Sequence, residues 1–350
     1  MNSPRILRRT LLVVLLLGFT LPAAAQAGLV LGPSGKPFSC PDPSVYEHTL
    51  VCTSDHQANA FPIYRTSDLQ HWRLTGYVLP AGHQPWWALH SPEGKYWAPD
   101  ITHIGDNWVV YFSAQFNSSL IGLRYNDGFP LQPATLVIGV AWAQTLAGPW
   151  NTTLVHYPDQ CRRFNPQRPG VCAGVIDPGV VRDPITGRRY LFWAEQPSTI
   201  WAAALSPNGL ATSGAVHLVL WAKRHNWDCD HKGICRVEGP APFFHKGKFI
   251  LLYSGASTWD GSYAMGAAVS TNPLRPFRRM GTQPILRSGN GWIAPGGGQV
   301  PVSGPYGQQE LFYHALLGPD STGESDERLL LEGRFHWQNG IPLVNNGLAG

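Results

Sequence analysis

Five times along this chain a turn rich in proline opens onto an apolar strand, and in four of the five the turn carries a carboxylate. The openings are Cys-Pro-Asp42-Pro-Ser-Val, Trp97-Ala-Pro-Asp100-Ile, Ile-Asp177-Pro-Gly-Val, Val-Glu238-Gly-Pro-Ala and, without an acid, Ala294-Pro-Gly-Gly-Gly-Gln299. The strands that follow read Leu50-Val-Cys-Thr, Trp108-Val-Val-Tyr-Phe, Tyr190-Leu-Phe-Trp, Phe249-Ile-Leu-Leu-Tyr and Glu310-Leu-Phe-Tyr-His. Successive acids lie 58, 77 and 61 residues apart, and Gly297 follows Glu238 by 59. A unit of roughly 50 residues with several short strands is the mark of a blade, so the spacing predicts an all-β, five-bladed β-propeller. The innermost strand of each blade lines the central channel of such a ring. Acids far apart in sequence then face one pocket, the layout that an enzyme working with a pair of carboxylates needs.

Composition agrees with that architecture. Charged residues make up 14% of the 350, against roughly 25% in an average globular protein. Aromatics reach 11%, and there are 38 glycines and 31 prolines, a mixture that favours turns and strands over long helices. Residues 1–27 read as a signal peptide. Arg5, Arg8 and Arg9 form a basic start, Leu11 to Phe19 an apolar core, and Ala25-Gln-Ala27 a cleavage site of small residues. The expectation is therefore a secreted protein whose residues 28–350 form a single catalytic propeller domain. No apolar run is long enough to span a bilayer, so no membrane partner is expected, and the chain is read as a monomer. The formal charge of +4 is small and scattered, without the basic stripe that nucleic-acid binding requires.

Cys40, Cys52, Cys161, Cys172, Cys229 and Cys235 fall as three close pairs. Six cysteines allow 15 connectivities. Pairing of nearest neighbours would staple one loop in each of three places. Their spacings of 12, 11 and 6 match no zinc pattern, and export favours disulfides. Asn117-Ser-Ser and Asn151-Thr-Thr are glycosylation acceptors in a eukaryotic host.

Taken in order, Pro-Asp42-Pro-Ser-Val, Trp97-Ala-Pro-Asp100, Ile-Asp177-Pro-Gly-Val and Val-Glu238-Gly-Pro resemble glycoside hydrolase family 43, from about Phe38 to Leu343. That resemblance implies a five-bladed propeller that hydrolyses glycosidic bonds with inversion. It implies Asp42 as general base, Glu238 as general acid, and Asp177 as the residue that orients the acid and tunes its pKa. The chemistry is consistent, since inversion needs one protonated carboxyl at the leaving oxygen and one ionised carboxylate holding water. Trp97, Asp100, Trp86 and Trp87 are candidate sugar contacts. The family's range points to α-L-arabinofuranosyl linkages of plant cell-wall polysaccharide, arabinan or arabinoxylan. A β-D-xylosidase is the alternative within the class, and a catalytically silent glycan-binding propeller the alternative outside it.

No cofactor is required by this reading and no metal ligands are assigned. Many members of the family carry a His in the fifth blade that reaches toward an axial water or calcium. Here Gly297 stands in its place, which puts axial calcium in question. Asp228, Asp230 and His231, in the loop between Trp227 and Cys235, read as solvated loop residues. Arg182-Asp183-Pro184 matches a motif of the invertase-like propellers, but it leads through Thr186-Gly187 into a strand and reads as hairpin chemistry.

Overall fold

A computed structural model of the chain describes residues 28–54, 57–90, 94–117, 136–156, 174–195, 198–289, 291–318 and 327–345. Residues 1–27, expected to be a signal peptide, and the Cys161/Cys172 pair lie outside these residues. The described residues form five antiparallel sheets around a ring. Blade 1 holds β1 (Ser44–Tyr46), β2 (Thr49–Val51), β3 (Ala60–Arg65) and β4 (Arg73–Leu79). Blade 2 holds β5 (Tyr96–Ile104), β6 (Asn107–Gln115), β7 (Leu136–Ala143) and β8 (Asn151–His156). Blade 3 holds β9 (Val175–Arg182), β10 (Arg189–Glu195), β11 (Thr199–Leu205) and β12 (Thr212–Trp221). Blade 4 holds β13 (Val237–His245), β14 (Lys248–Gly255), β15 (Ala264–Ser270) and β16 (Arg278–Arg279). Blade 5 holds β17 (Trp292–Gly296), β18 (Val302–Ser303), β19 (Gln309–Leu317), β20 (Leu329–Gln338) and β21 (Ile341–Asn345). Within blade 5, β17 and β18 share one edge of β19, because two prolines and three glycines between Pro295 and Pro301 interrupt the inner strand.

The burial pattern follows from the ring. The second strands β6, β10, β14 and β19 are buried along nearly their whole length, since each is covered on both faces by the neighbouring blades. That is why they read as unbroken apolar runs instead of alternating ones. Outer strands such as β4 and β12 keep exposed positions. One apolar cluster fills each seam: Phe61 with Phe112 between blades 1 and 2, Ile138 with Trp193 between 2 and 3, Phe192 with Tyr253 between 3 and 4, Ile250 with Tyr313 between 4 and 5. The last seam, between blades 5 and 1, packs Phe312 and Leu330 against Leu50 and Trp72. It is closed by the segment ahead of β1. Residues Val30 and Cys40 donate backbone hydrogen bonds to Leu330 and Arg328, and Leu330 and Glu332 donate to Phe38 and Gly28. The start of the described chain therefore lies along β20 and locks the ring.

Cys40 is bonded to Cys52 and Cys229 to Cys235, with Cα separations of 5.1 and 3.8 Å. Each closes a short loop, as the spacing predicts, worth about 2–3 kcal/mol in the chain-entropy description. Asp183 accepts hydrogen bonds from the Ile185 N–H and the Thr186 hydroxyl in the β9–β10 turn, so Arg182-Asp183-Pro184 is hairpin chemistry. The loop carrying Cys229 and Cys235 differs from the solvated one expected. Asp228 is fully buried and paired with Arg279, and Asp230 accepts from the Lys232 and Ile234 N–H groups and pairs with Arg236 at 3.3 Å. Those aspartates are spent on folding the loop.

Candidate active site

Each inner strand starts with the same backbone device. The residue before a proline takes a left-handed conformation: Asp42 (φ 48°), Ala98 (45°), Asp177 (57°), Gly239 (58°) and Ala294 (52°). In blades 2 to 5 the strand register shifts at that residue, so each is a bulge. A residue before proline prefers extended backbone, and positive φ costs an L-residue roughly 1–2 kcal/mol. Four repetitions of that cost, with a glycine at the fifth kink, mark the channel mouth as a built feature. At four of the kinks the N–H donates to a side chain of a neighbouring blade: Asp42 to His314, Ala98 to Thr53, Asp177 to Ser113 and Gly239 to Asp177.

The kink also corrects the equal placement of the acids suggested by the spacing. Asp42 and Asp177 stand on the kink itself, Glu238 one residue before it, and Asp100 two residues after it. Asp100 therefore lies deeper, buried between blades. It accepts the Val180 N–H at 2.7 Å and the Ser44 hydroxyl at 3.4 Å, which clips blade 2 to blades 3 and 1. Burial pushes its carboxyl up to about 7, against those two hydrogen bonds. Both of its oxygens are engaged in holding the blades together.

Asp42, Asp177 and Glu238, in contrast, form one electrostatic cluster. Burial raises Asp177 well above its ordinary 3.8, and the charges of Glu238 and Asp42 raise it further. Burial also raises Glu238 above 4.5, opposed by a hydrogen bond from Tyr263 and aided by the charge of Asp42. Burial pushes Asp42 the same way, but the Arg328 guanidinium and the Thr53 hydroxyl oppose it, and the carboxyl lies below 3.8. The cluster thus holds one carboxylate ionised and two carboxyls inclined to keep a proton.

The supporting contacts come from places where the sequence shows no motif. Thr53, next to the Cys40–Cys52 bridge, donates to Asp42 Oδ2 at 2.9 Å. Arg328, just before β20, donates to both Asp42 oxygens at 3.3 and 3.4 Å. His314 Nδ1 accepts the Asp42 N–H at 3.1 Å; burial holds this imidazole neutral, at about 3. The Tyr263 hydroxyl donates to Glu238 Oε1 at 2.8 Å, and its ring lies parallel to His314, centroids 6.2 Å apart. With Oε1 occupied as an acceptor, a proton on Glu238 sits on Oε2.

A recurring latch places Asp177. The second-strand residue beside the kink accepts an N–H from the next blade: Thr53 takes that of Ala98 at 2.7 Å, and Ser113 that of Asp177 at 2.9 Å. Blade 3 has Ala194 at this register, with no hydroxyl to offer. The Gly239 N–H goes instead to Asp177 Oδ2 at 3.0 Å. Asp177 therefore fixes the peptide that follows the acid.

The tryptophans divide sharply. Trp86 is 68% exposed, while Trp87 is 2% exposed and stacked on Phe112 in the seam between blades 1 and 2. Trp87 is core, which corrects its reading as a sugar contact; the two are the central residues of a tight turn in which the Ala88 N–H donates to the Pro85 carbonyl at 3.1 Å. Trp97 is partly buried against Leu136, Ile176 and Ala194, with Lys95 4.7 Å above its ring.

Gly297 (φ 60°) has no room for a side chain. A Cβ there would come within 2.5 Å of the His314 ring and 2.7 Å of Asp42 Oδ1. The imidazole beside the axis thus comes from β19. Its Nε2 is buried without a protein partner, but calcium takes oxygen ligands. Among the described residues no three His, Cys, Asp or Glu side chains are grouped to hold a metal ion.

Comparison with known proteins agrees with this geometry. The chain is 24% identical over 301 residues to an extracellular exo-α-(1→5)-L-arabinofuranosidase of Streptomyces avermitilis, covering 81% of this chain but 56% of that relative's length. It is 24% identical over 312 residues to a probable arabinan endo-1,5-α-L-arabinosidase D of Emericella nidulans, covering 82% of this chain and 76% of the relative. The crystal structure of a thermostable family-43 glycoside hydrolase superposes with a TM-score of 0.69 at 22% identity, covering 91% of this chain and 95% of that one. Residues 36–342 match the model of the glycosyl hydrolases family 43, and the chain belongs to that family.

Proposed function

We propose that this chain is a secreted, inverting glycoside hydrolase that cleaves α-L-arabinofuranosyl linkages of plant cell-wall polysaccharide. The observation that carries the chemistry is the division of charge among three neighbouring carboxyls, with Asp42 held ionised and Glu238 pushed toward its protonated form. Carboxyls whose surroundings drive their pKa values apart are how an active site assigns its base and its acid.

The reaction follows from these positions. Glu238 gives the proton on Oε2 to the glycosidic oxygen while the bond to the anomeric carbon breaks. A water on the opposite face forms the new bond to that carbon and passes its proton to Asp42. Arg328 and Thr53 keep Asp42 ionised until then. Asp177 anchors the Gly239 N–H and so the direction in which Glu238 points. No step is assigned to an axial ion. The sugar is supported by the two curated relatives, whose names both specify arabinose linkages, and secretion by the basic-apolar leader and the extracellular relative.

A panel of nitrophenyl α-L-arabinofuranoside, nitrophenyl β-D-xyloside and linear arabinan, with the anomer of the first product read by proton NMR, tests the proposal. The expected result is arabinose released with inverted configuration. Preference for the xyloside would reassign the sugar, and a retained anomer would remove Asp42 as base. Binding of arabinan without hydrolysis of any substrate would mark a silent propeller.

A further inference from the structure

Outside the acid cluster, a groove of about 290 Å³ lies on the rim where blade 3 meets blade 4, lined by Trp221, Lys223, Pro276, Phe277, Arg278 and Arg279. Its floor is built. The Phe277 N–H donates to Val219 at 2.8 Å, and Arg279 donates to the Trp221 carbonyl at 2.8 Å while pairing with buried Asp228. Trp221 nevertheless leaves 43% of its surface open.

The charge that looks scattered along the sequence collects here. Lys223, Arg224, Arg275 and Arg278 are all exposed, and the one acid within 221–228 and 274–279, Asp228, is consumed by Arg279. The groove also lies on the acid side of its blade. Across that edge of blade 3 the register runs Val175, Glu195, Thr199, Trp221. Val175 is two residues from Asp177, and three strand spacings amount to about 14 Å.

We propose that this groove is a second carbohydrate site, which takes uronate residues of an anionic polysaccharide. An exposed indole beside exposed, unneutralised cations suits that ligand: the ring covers the C–H face of a sugar, and Lys and Arg pair with its carboxylate. A neutral glycan would leave the cations unused, and a small inorganic anion would leave the indole bare. The groove would hold the polymer backbone while a side chain reaches Glu238. That last step rests on the hydrolase reading, whereas binding of uronate does not.

Titration calorimetry at low salt tests it, with polygalacturonate, its methyl ester, neutral linear arabinan and single-stranded DNA as probes. Polygalacturonate should bind, and the methyl ester, with the same sugar but no charge, about tenfold more weakly or worse. Trp221→Ala alone, and Lys223→Ala with Arg278→Ala, should each weaken binding by about tenfold, with melting temperature and hydrolysis of a nitrophenyl glycoside unchanged. Loss in the cation variant but not in Trp221→Ala would reduce the groove to an ion-exchange patch and overturn the proposal. Equal binding of the methyl ester, or of DNA as tightly as uronate, would overturn it as well. If no glycoside is hydrolysed while uronate still binds, the site stands and the hydrolase reading falls.

Discussion

Blades 2 and 3 offer the same residue at nearly the same place, with opposite outcomes. Both inner strands carry an aspartate next to a left-handed kink before proline. In blade 3 the aspartate is the kink; in blade 2 it lies two residues beyond. That offset moves Asp100 from the mouth of the channel into the seam, where the Val180 N–H and the Ser44 hydroxyl occupy its oxygens. Asp177 stays at the mouth beside Glu238, with its Oδ2 on the Gly239 N–H. Burial raises both carboxyls. A raised pKa therefore does not by itself place a carboxyl at the channel mouth; position relative to the kink does.

The largest effects should come from the acids at the mouth. Asp42→Asn should abolish turnover whatever the leaving group. Glu238→Gln should lose about 10²–10⁴-fold on poor leaving groups and far less on dinitrophenyl glycosides, which need little proton assistance. Steady-state rates on the two substrate types separate the roles, and equal losses in Glu238→Gln would remove it as proton donor.

The next pair sharpens the contrast directly. Asp177→Asn should lower kcat strongly with little change in melting temperature. Asp100→Ala should leave kcat within a few-fold but cost about 1–3 kcal/mol, because the Val180 N–H is left buried without its acceptor. Chemical denaturation beside the rate assay reads both, and a reversed pattern would break the comparison.

Asp100 also makes a pH prediction. Its folded pKa of about 7 lies above the unfolded 3.8, so between these values the folded state holds a proton that the unfolded state has released. Its contribution is complete below pH 3.8 and is lost as pH rises through about 7. Relative to Asp100→Asn, the wild type should lose up to about 1.4 kcal/mol per pH unit across that window. Parallel stability curves for the two proteins would place this carboxyl in water.

The smallest effect is expected from Tyr263→Phe. The Tyr263 hydroxyl bond lowers the pKa of Glu238, so its removal should raise that pKa and move the alkaline limb of kcat/KM to higher pH. A role in packing alone would lower stability and leave the limb in place.

The blades and the three mouth acids were legible because a propeller repeats both its apolar strands and its Pro-containing openings at a readable period. The kink was not, since positive φ before proline runs against the preference of Asp and Ala and leaves no mark in residue type. Nor were Tyr263, Arg328, His314 and Thr53, each brought to an acid by its strand's place in the ring and not by a local motif. Trp86 and Trp87 look equivalent in sequence; only packing on Phe112 tells core from rim.

The guanidinium that keeps Asp42 ionised, that of Arg328, lies 286 residues further along the chain, and His314, which accepts the Asp42 N–H, lies 272 residues further. Asp42 itself directly follows the segment that zips onto β20. As the ribosome makes the chain, the base emerges among the first residues of the domain and its guanidinium among the last. A nascent propeller with four blades complete would contain Asp177, Glu238 and Tyr263 in place, yet lack the charge that keeps its base deprotonated. Competence is then the final event of assembly, and a molecule whose ring has not closed is held inactive by its own unfinished geometry.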